Sequence, residues 1–252
     1  MAATVLVYHG VEARPRDEDP AQLFVPPDLF ERQMAFLARR RVVVTLDDAI
    51  RSDDARRNRV AITFDDGFRS VLTAAAPVLE RFGFPATVFV PTGWLGRENG
   101  WDPHGHAPLM SAEDLREARV RGIDVQSHGH DHVDLARTGY DDALFDLGQS
   151  SERLLELLGE RPRHLAYPWG RDSGEAARAA RASGFEAAFT LGRRGEGAFA
   201  RERVPVTPSD GDVLFAAKTS GAFLRVRWSR GFTLPYGALR PFVRAVVDRR
   251  SP

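Results

Sequence analysis

The sequence predicts an α/β protein, a single distorted (β/α) barrel with about seven parallel strands. Two observations favour this fold class. Short apolar runs alternate along the chain with longer segments in which apolar residues recur at every third or fourth position, which is the pattern of repeated βα units. The chain has 252 residues, 43% of them hydrophobic, which is enough for one large core.

The predicted elements alternate in order along the chain. Strands are predicted at 4–8, 42–46, 59–64, 86–90, 123–126, 164–167, 186–190 and 203–206. Helices are predicted at 28–40, 68–82, 111–121, 141–158 and 173–183. Ser111 with Asp114 is an N-cap signature, and Gly83 and Gly159 stand where helices are expected to end. The segment 91–110, rich in Gly, Pro and Trp, is interpreted as a long ordered loop within the domain.

The barrel domain is predicted over residues 1–215, followed by a basic C-terminal extension over 216–252. From Leu224 to Pro252 the chain has seven Arg against one Asp. We expect the extension to be helical and to pack on the barrel or face a partner. It would either contact an anionic glycan, a lipid phosphate or a membrane surface, or remain a solvated helix whose arginines snorkel over apolar surface.

Composition excludes several classes of site and partner. Lys+Arg and Asp+Glu both number 35, so nothing indicates nucleic acid as a partner. The absence of cysteine leaves only His and carboxylate side chains to hold a metal. No apolar run approaches the roughly 18 residues of a bilayer-spanning helix. The N-terminus has no basic region typical of a signal peptide, so a cytoplasmic location is expected.

Chemistry-bearing residues follow the predicted strands. The carboxyl ends of parallel strands meet at one face of an α/β fold, where active sites form. The residues expected on that face are His9, Asp65, Asp66, the loop 127–132, Pro168, Trp169 and Gly170. His164 begins its strand instead, so we expect it at the opposite end.

Two histidines and a carboxylate on one face predict a metal site with open positions. His128 and His132, four residues apart across a turn, can converge on one ion, with Asp66 or Asp65 as the third ligand. The ion would relieve the repulsion between the adjacent carboxylates, and the unligated one would act as a base toward water. Gly67 would let both side chains lean toward the site.

Other interpretations of these residues stay open. An Asp-Asp-Gly sequence is most often a turn or a helix N-cap. Two histidines and a carboxylate also form the facial triad of non-haem iron oxygenases, although the ligand order and the βα repeats do not suit that class. A metal hydrolase built on His128 and His130 would need further histidines on later strands, where only His164 remains.

Three motifs resemble those of the NodB-like polysaccharide deacetylases, metal-dependent enzymes that remove acetyl groups from N-acetylated amino sugars. They are TFDDG at 63–67, SHGHDHVDL at 127–135 and AYPWG at 166–170, and the resemblance extends over roughly residues 3–210. It implies Asp65 as general base, Asp66, His128 and His132 as metal ligands, and the backbone N–H of Trp169 as an oxyanion donor. AYPWG and the early VYHGV resemble the subgroup that acts on poly-N-acetylglucosamine-type exopolysaccharides.

The resemblance implies a metal-dependent hydrolase that removes N-acetyl groups from a polysaccharide or oligosaccharide. Zinc is the expected metal, with cobalt, nickel or manganese as alternatives. Trp94, Trp101 and Trp169, together with Pro168 and Gly170, are expected to contact the glycan, although a tryptophan can equally anchor a loop. The alternatives are a deacetylase-like protein that binds glycan with little or no catalysis, and a hydrolase of another small amide.

The chain departs from the family pattern at three points. Many relatives have a C-terminal histidine as general acid, whereas this chain has none after His164, which leaves His9 and then His130 as candidates. The arginine that orients the base in many relatives is absent upstream of AYPWG, and Arg171 is its candidate replacement. Gly129 and Val133 stand where the family usually has Ser or Thr and Pro.

Overall fold

Parallel strands form a sheet that nearly closes into a barrel with helices around it, which confirms the predicted fold class. The computed structural model describes residues 3–51, 58–102, 106–192, 197–220 and 223. The strands are β1 Thr4–Tyr8, β2 Gly10–Val11, β3 Phe24–Val25, β4 Val42–Val43, β5 Arg59–Phe64, β6 Ala86–Val90, β7 Ile123–Ser127, β8 His164–Ala166, β9 Ala187–Thr190, β10 Arg201–Glu202 and β11 Val204–Pro205. The α-helices are α1 Pro27–Arg40, α2 Leu46–Arg51, α3 Ala76–Phe82, α4 Ala112–Val120, α5 Tyr140–Leu158, α6 Gly174–Ala182 and α7 Asp212–Lys218.

The main sheet has the strand order β10-β9-β8-β7-β6-β5-β1-β11, with β4 also paired to β5 and all pairs parallel. β2 and β3 form a separate parallel pair. Because every strand of the main sheet runs the same way, the carboxyl ends of β1, β5, β7 and β8 lie at one face. The residues that the sequence places after these strands, including His9, Asp65, Asp66 and the loop 127–132, therefore lie at that face.

One short segment joins the two edges of this sheet. Residues 201–202 pair with β9, and residues 204–205 pair with β1. Arg203 lies between them, and its backbone N–H donates to the Thr190 carbonyl at 3.0 Å. The seam of the barrel is therefore a single stretch of chain that pairs on both sides, and the side chain of Arg203 is fully buried there.

Helices α1 and α4 form where their sequence signals predict. α1 begins with Pro27 in its first turn and buries Phe30, Met34 and Leu37 along one face. α4 begins with a capping box between Ser111 and Asp114, as predicted. Across the part of the chain that the structure describes, no helix combines the length and apolarity needed to cross a bilayer.

The structure corrects the prediction at two elements. The strand predicted at 42–46 ends at Val43, and α2 begins at Leu46, because the Thr45 hydroxyl accepts a hydrogen bond from the Asp48 N–H at 3.1 Å and starts a helix. The helix predicted at 68–82 is interrupted: residues 69–70 are α-helical, a π-helical turn follows at Val71–Ala75, and the α-helix resumes at Ala76. Pro77 explains the wider turn, because it lacks an N–H and its ring crowds the preceding turn.

Besides α2, the elements that were not predicted are β2, β3, β10 and α7. The three strands contain two residues each, too few to show an alternating pattern. α7 spans the predicted domain boundary at 215/216. Residues 224–252, which contain the basic stretch, lie outside the described residues, so the domain division and the helical extension stay predictions.

Candidate metal centre and active site

Asp66, His128 and His132 meet at the carboxyl face of the sheet. Each offers one ligand atom, and these atoms all lie within 4.8 Å of one another. Oδ1 of Asp66 is 3.2 Å from Nε2 of His128 and 3.2 Å from Nε2 of His132. All three side chains are buried. Two imidazole nitrogens and a carboxylate oxygen are a donor set that suits a divalent metal ion with open coordination positions.

The backbone around these residues is held in unusual conformations. Asp66 has φ 68° and His132 has φ 57°, both in the left-handed region that few non-glycine residues adopt. Gly67 follows at φ 68°, and a Cβ built there would lie 2.9 Å from Cγ1 of Val90. Glycine at 67 thus lets the chain turn sharply after β5 while β6 packs directly against it.

His128 is oriented by its other ring nitrogen. Nδ1 lies 2.7 Å from the Ala166 carbonyl oxygen. Because a carbonyl can only accept, Nδ1 carries the proton, and a neutral ring then directs the Nε2 lone pair at Asp66. Two acceptors 3.2 Å apart repel each other unless a proton or a metal ion lies between them. The residues present therefore fit a bound cation.

His132 is held by its ring faces. Its Nδ1 is buried without a hydrogen-bond partner among the described residues. The ring of Trp101 stacks on it with centroids 4.1 Å apart and planes 18° apart. The ring of Trp169 lies 5.3 Å away, and the indole N–H donates to the His132 carbonyl at 3.3 Å. The imidazole of His132 is therefore held by packing against aromatic rings, whereas the imidazole of His128 is held by a hydrogen bond.

The protonation of the three residues follows from burial and from their mutual contacts. Burial opposes the charge of Asp66, but its contacts with His128 and His132 outweigh burial and hold the pKa of Asp66 well below its usual value. Burial also opposes the charge of His128, yet Asp65 and Asp66 raise the pKa of its ring. Burial dominates at His132 and lowers its pKa despite Asp66.

Asp65, the neighbour of Asp66, faces Arg203, which no sequence motif identified as part of the site. Nη1 and Nη2 of Arg203 donate to Oδ1 and Oδ2 of Asp65 at 2.7 and 2.6 Å. Nη1 also donates to the Thr63 hydroxyl at 3.2 Å. Burial would raise the pKa of Asp65, but the charge of Arg203 outweighs it and the pKa is lowered. Asp65 is therefore an ionised carboxylate in a fixed orientation beside the candidate metal ligands.

The expectation that Arg171 replaces the base-orienting arginine is wrong. Arg171 pairs with Asp134, and Arg203 pairs with Asp65. The sequence carried one indication, since Arg203 opens the predicted strand 203–206 and a charged residue inside a barrel needs an opposite charge. No pattern in the neighbouring sequence identified which carboxylate would pair with Arg203.

The other histidines occupy different positions. His9 follows β1 and is buried at the same carboxyl face. Nδ1 of His130 contacts the Thr92 hydroxyl at 2.9 Å. His164 opens β8 at the opposite end of the barrel, as predicted, where its Nε2 lies 2.7 Å from Oδ1 of Asp47.

The predicted glycan-contacting residues lie around His132. The rings of Trp94 and Trp101 pack edge to face at 5.2 Å, and the indole N–H of Trp94 donates to the Asp131 carbonyl at 3.2 Å. Trp169 has φ 64° within the short 3-10 turn Pro168–Gly170, a strained conformation for a bulky residue. Pro168 and Gly170 are themselves buried. The tryptophans are thus close to the metal ligands, while their contact with a glycan stays a prediction.

Known proteins share both this sequence pattern and this fold. A family model described as polysaccharide deacetylase matches residues 52–188. The poly-beta-1,6-N-acetyl-D-glucosamine N-deacetylase of Staphylococcus aureus (strain MRSA252) is 25% identical over 147 residues, which is 55% of this chain and 46% of that protein. The chain spans about half the length of the curated relatives it matches.

Two solved structures are similar over most of the chain. IcaB from Ammonifex degensii is 27% identical with a TM-score of 0.73, over 87% of this chain and 97% of that one. The Streptococcus pyogenes deacetylase PplD, solved in complex with acetate, is 22% identical with a TM-score of 0.75, over 87% and 99%, and shows the fold alone. Because the family model covers more than half of the residues, the chain belongs to the polysaccharide deacetylase family.

Proposed function

We propose that this protein is a metal-dependent hydrolase that removes N-acetyl groups from the amino sugars of a polysaccharide or oligosaccharide. One observation carries the proposal. An ionised carboxylate, Asp65, is fixed by Arg203 immediately beside a buried group of two imidazoles and a carboxylate. Such a pairing of a base with a metal-binding group is the arrangement used in metal-assisted hydrolysis of an amide.

Asp66, His128 and His132 would hold the metal, and zinc is the ion we propose, with cobalt, nickel and manganese as alternatives. When bound, a divalent ion supplies Lewis acidity toward the acetyl carbonyl and makes water easier to deprotonate. Asp65 would remove the proton from the attacking water, because both of its oxygens are held by Arg203 and it is ionised near neutral pH.

The leaving nitrogen needs a proton donor, and we assign this role to His9. It follows β1 and is buried at the carboxyl face to which Asp65 and Asp66 also belong. His130 is the weaker candidate, because its Nδ1 already contacts Thr92. The backbone N–H of Trp169 would help to stabilise the oxyanion, since the strained turn at 168–170 brings this residue against His132.

The proposed substrate is an N-acetylated glycan, of the class named in the matched Staphylococcus aureus relative. Trp94, Trp101 and Trp169 offer aromatic surface beside the metal ligands, and such surface stacks on the apolar faces of sugar rings. Pro168 and Gly170 would shape the turn beneath it. The basic stretch 224–252 would add contact with an anionic membrane or a lipid-linked glycan, a proposal that depends on its charge alone.

The test is acetate release with metal content measured in the same preparation. The zinc-loaded protein is incubated with β-1,6-linked and β-1,4-linked N-acetylglucosamine oligomers and with a simple acetamide that carries no sugar. The expected result is acetate from at least one oligomer, lost on chelation and restored by zinc. A preparation with one bound metal that binds an oligomer but releases no acetate would support the glycan-binding alternative. Release from the simple acetamide alone would support the hydrolase of another amide.

A further inference from the structure

The histidine loop, residues 128–132, is fixed on its carbonyl side by the turn that follows β6. The Gly129 carbonyl accepts a hydrogen bond from the Thr92 N–H at 3.1 Å. The His130 carbonyl accepts one from the Gly93 N–H at 2.9 Å. Both contacts are between backbone groups, so they hold the loop without involving its side chains.

The amide side of the same loop is fixed with the help of α5. The N–H groups of His130 and Asp131 donate to Oδ2 and Oδ1 of Asp146, each at 2.9 Å. The Gly129 N–H donates to the Ser127 hydroxyl at 3.1 Å, which in turn lies 2.8 Å from the Ser150 hydroxyl on α5. Three consecutive N–H groups between the two histidines are thus satisfied, two of them by one carboxylate that is 6% exposed.

Gly129 leaves the space that this carboxylate occupies. It has φ 76°, and a Cβ built on it would lie 2.8 Å from Oδ2 of Asp146. A side chain at 129 and a carboxylate at 146 therefore exclude each other in this arrangement.

The two histidines depend on this support unequally. His128 has its own anchor, the Ala166 carbonyl. His132 has no hydrogen bond to Nδ1 among the described residues, and its backbone has φ 57°. The direction of its ring therefore depends on the loop conformation and on the neighbouring tryptophans.

We propose that Asp146 is a positioning residue of the metal centre, which sets the distance and angle between His128 and His132 by binding the two N–H groups between them. The inference rests on the proposed function in one respect, that these histidines hold a metal. It assigns no contact between Asp146 and the metal or the substrate.

The test compares zinc affinity and the visible spectrum of the cobalt-loaded protein in Asp146→Ala and Asp146→Asn. Zinc affinity is measured by competition with a chromophoric chelator, and folding is monitored by the melting temperature without metal. We expect Asp146→Ala to bind zinc roughly 10- to 100-fold more weakly and to shift the cobalt bands, as is usual when a residue supporting a ligand is removed. Asp146→Asn keeps one acceptor oxygen and should lie between Asp146→Ala and the unmodified protein.

Asp142→Ala is the matched control, because it removes an exposed carboxylate one turn earlier on α5. It should leave zinc affinity and the cobalt spectrum unchanged. If Asp146→Ala folds and its zinc affinity and cobalt spectrum are unchanged, the inference is wrong. If Asp146→Ala does not fold, an unchanged zinc affinity and cobalt spectrum in Asp146→Asn would refute the inference instead. If the unmodified protein binds zinc and releases acetate, such a result refutes only the role of Asp146. If the unmodified protein binds no metal, the proposed function and this inference fall together.

Discussion

Arg203 and Asp65 are 138 residues apart in the sequence, and they form a two-point ion pair in the interior of the barrel. Arg203 lies between β10 and β11, where residues 201–205 pair with both edges of the sheet. The segment that closes the barrel is therefore also the one that orients the candidate base. A change that loosens this seam should disturb the proposed chemistry as well as the fold.

Replacing Arg203 with alanine should destabilise the protein strongly. The substitution leaves Asp65 charged and buried without its partner, which typically costs about 3–5 kcal/mol. Urea unfolding followed by circular dichroism measures the loss. Arg203→Lys retains the charge but not the two-point geometry, so its loss should be smaller. A free energy of unfolding for Arg203→Ala within about 1 kcal/mol of the unmodified value would contradict the importance given to this pair.

Asp65→Asn should abolish most turnover while it spares metal binding. The amide cannot take a proton from water, and loss of a general base typically lowers the rate by about 10²- to 10⁴-fold. Acetate release is measured on the oligomer that gives the highest rate, beside metal content by elemental analysis. Turnover at the unmodified rate would remove Asp65 from the mechanism.

Asp66→Ala should lose the metal. The substitution removes the one oxygen that faces both imidazoles. Elemental analysis after dialysis should find little zinc in this variant. Asp131→Asn is the control, because it alters an exposed carboxylate of the histidine loop and should retain zinc. Equal zinc in Asp66→Ala and the unmodified protein would refute the ligand assignment.

Gly67→Ala should destabilise the fold by more than Gly83→Ala. Both glycines have positive φ, 68° and 63°, so both substitutions introduce backbone strain. Only at Gly67 does the new methyl meet a neighbour, Cγ1 of Val90 at 2.9 Å, whereas nothing lies within 4 Å at Gly83. Thermal unfolding of the two variants isolates the steric part of the effect. Equal losses would mean that β6 can shift to admit the methyl group.

The contact of α2 with the amino-terminal end of the barrel should depend on pH through Asp47. Burial opposes its charge, but Arg163 and His164 outweigh it and lower the pKa of Asp47 below the usual 3.8. A carboxyl group with a lowered pKa in the folded state contributes stability above its unfolded pKa and loses it as the pH falls through the folded value. Asp47→Asn should therefore lower the free energy of unfolding most near neutral pH, and the loss should become progressively smaller below pH 3.8. Urea unfolding at a series of pH values measures this, and a cost that grows toward acid would contradict the sign.

Much of the fold could be predicted because its signals are local. β1, β5 and β6 match their predicted bounds, and the capping box of α4 involves residues only three positions apart. The prediction was wrong where a local signal had two outcomes, as at 42–46, where a β-branched run ends in a threonine that caps a helix. The grouping of Asp66, His128 and His132 was predictable because parallel strands bring their carboxyl ends to one face.

By itself the sequence determined the order of most strands and helices, most of the helix ends and the set of polar residues at the carboxyl face. These depend on periodicity and capping over a few neighbouring positions. The tertiary structure alone decided that Arg203, and not Arg171, pairs with Asp65, that Trp101 stacks on His132, and that Asp146 lies beneath the histidine loop. Such contacts depend on sheet closure and on how helices pack against strand ends, and no local pattern in the chain encodes which distant residue will be within reach.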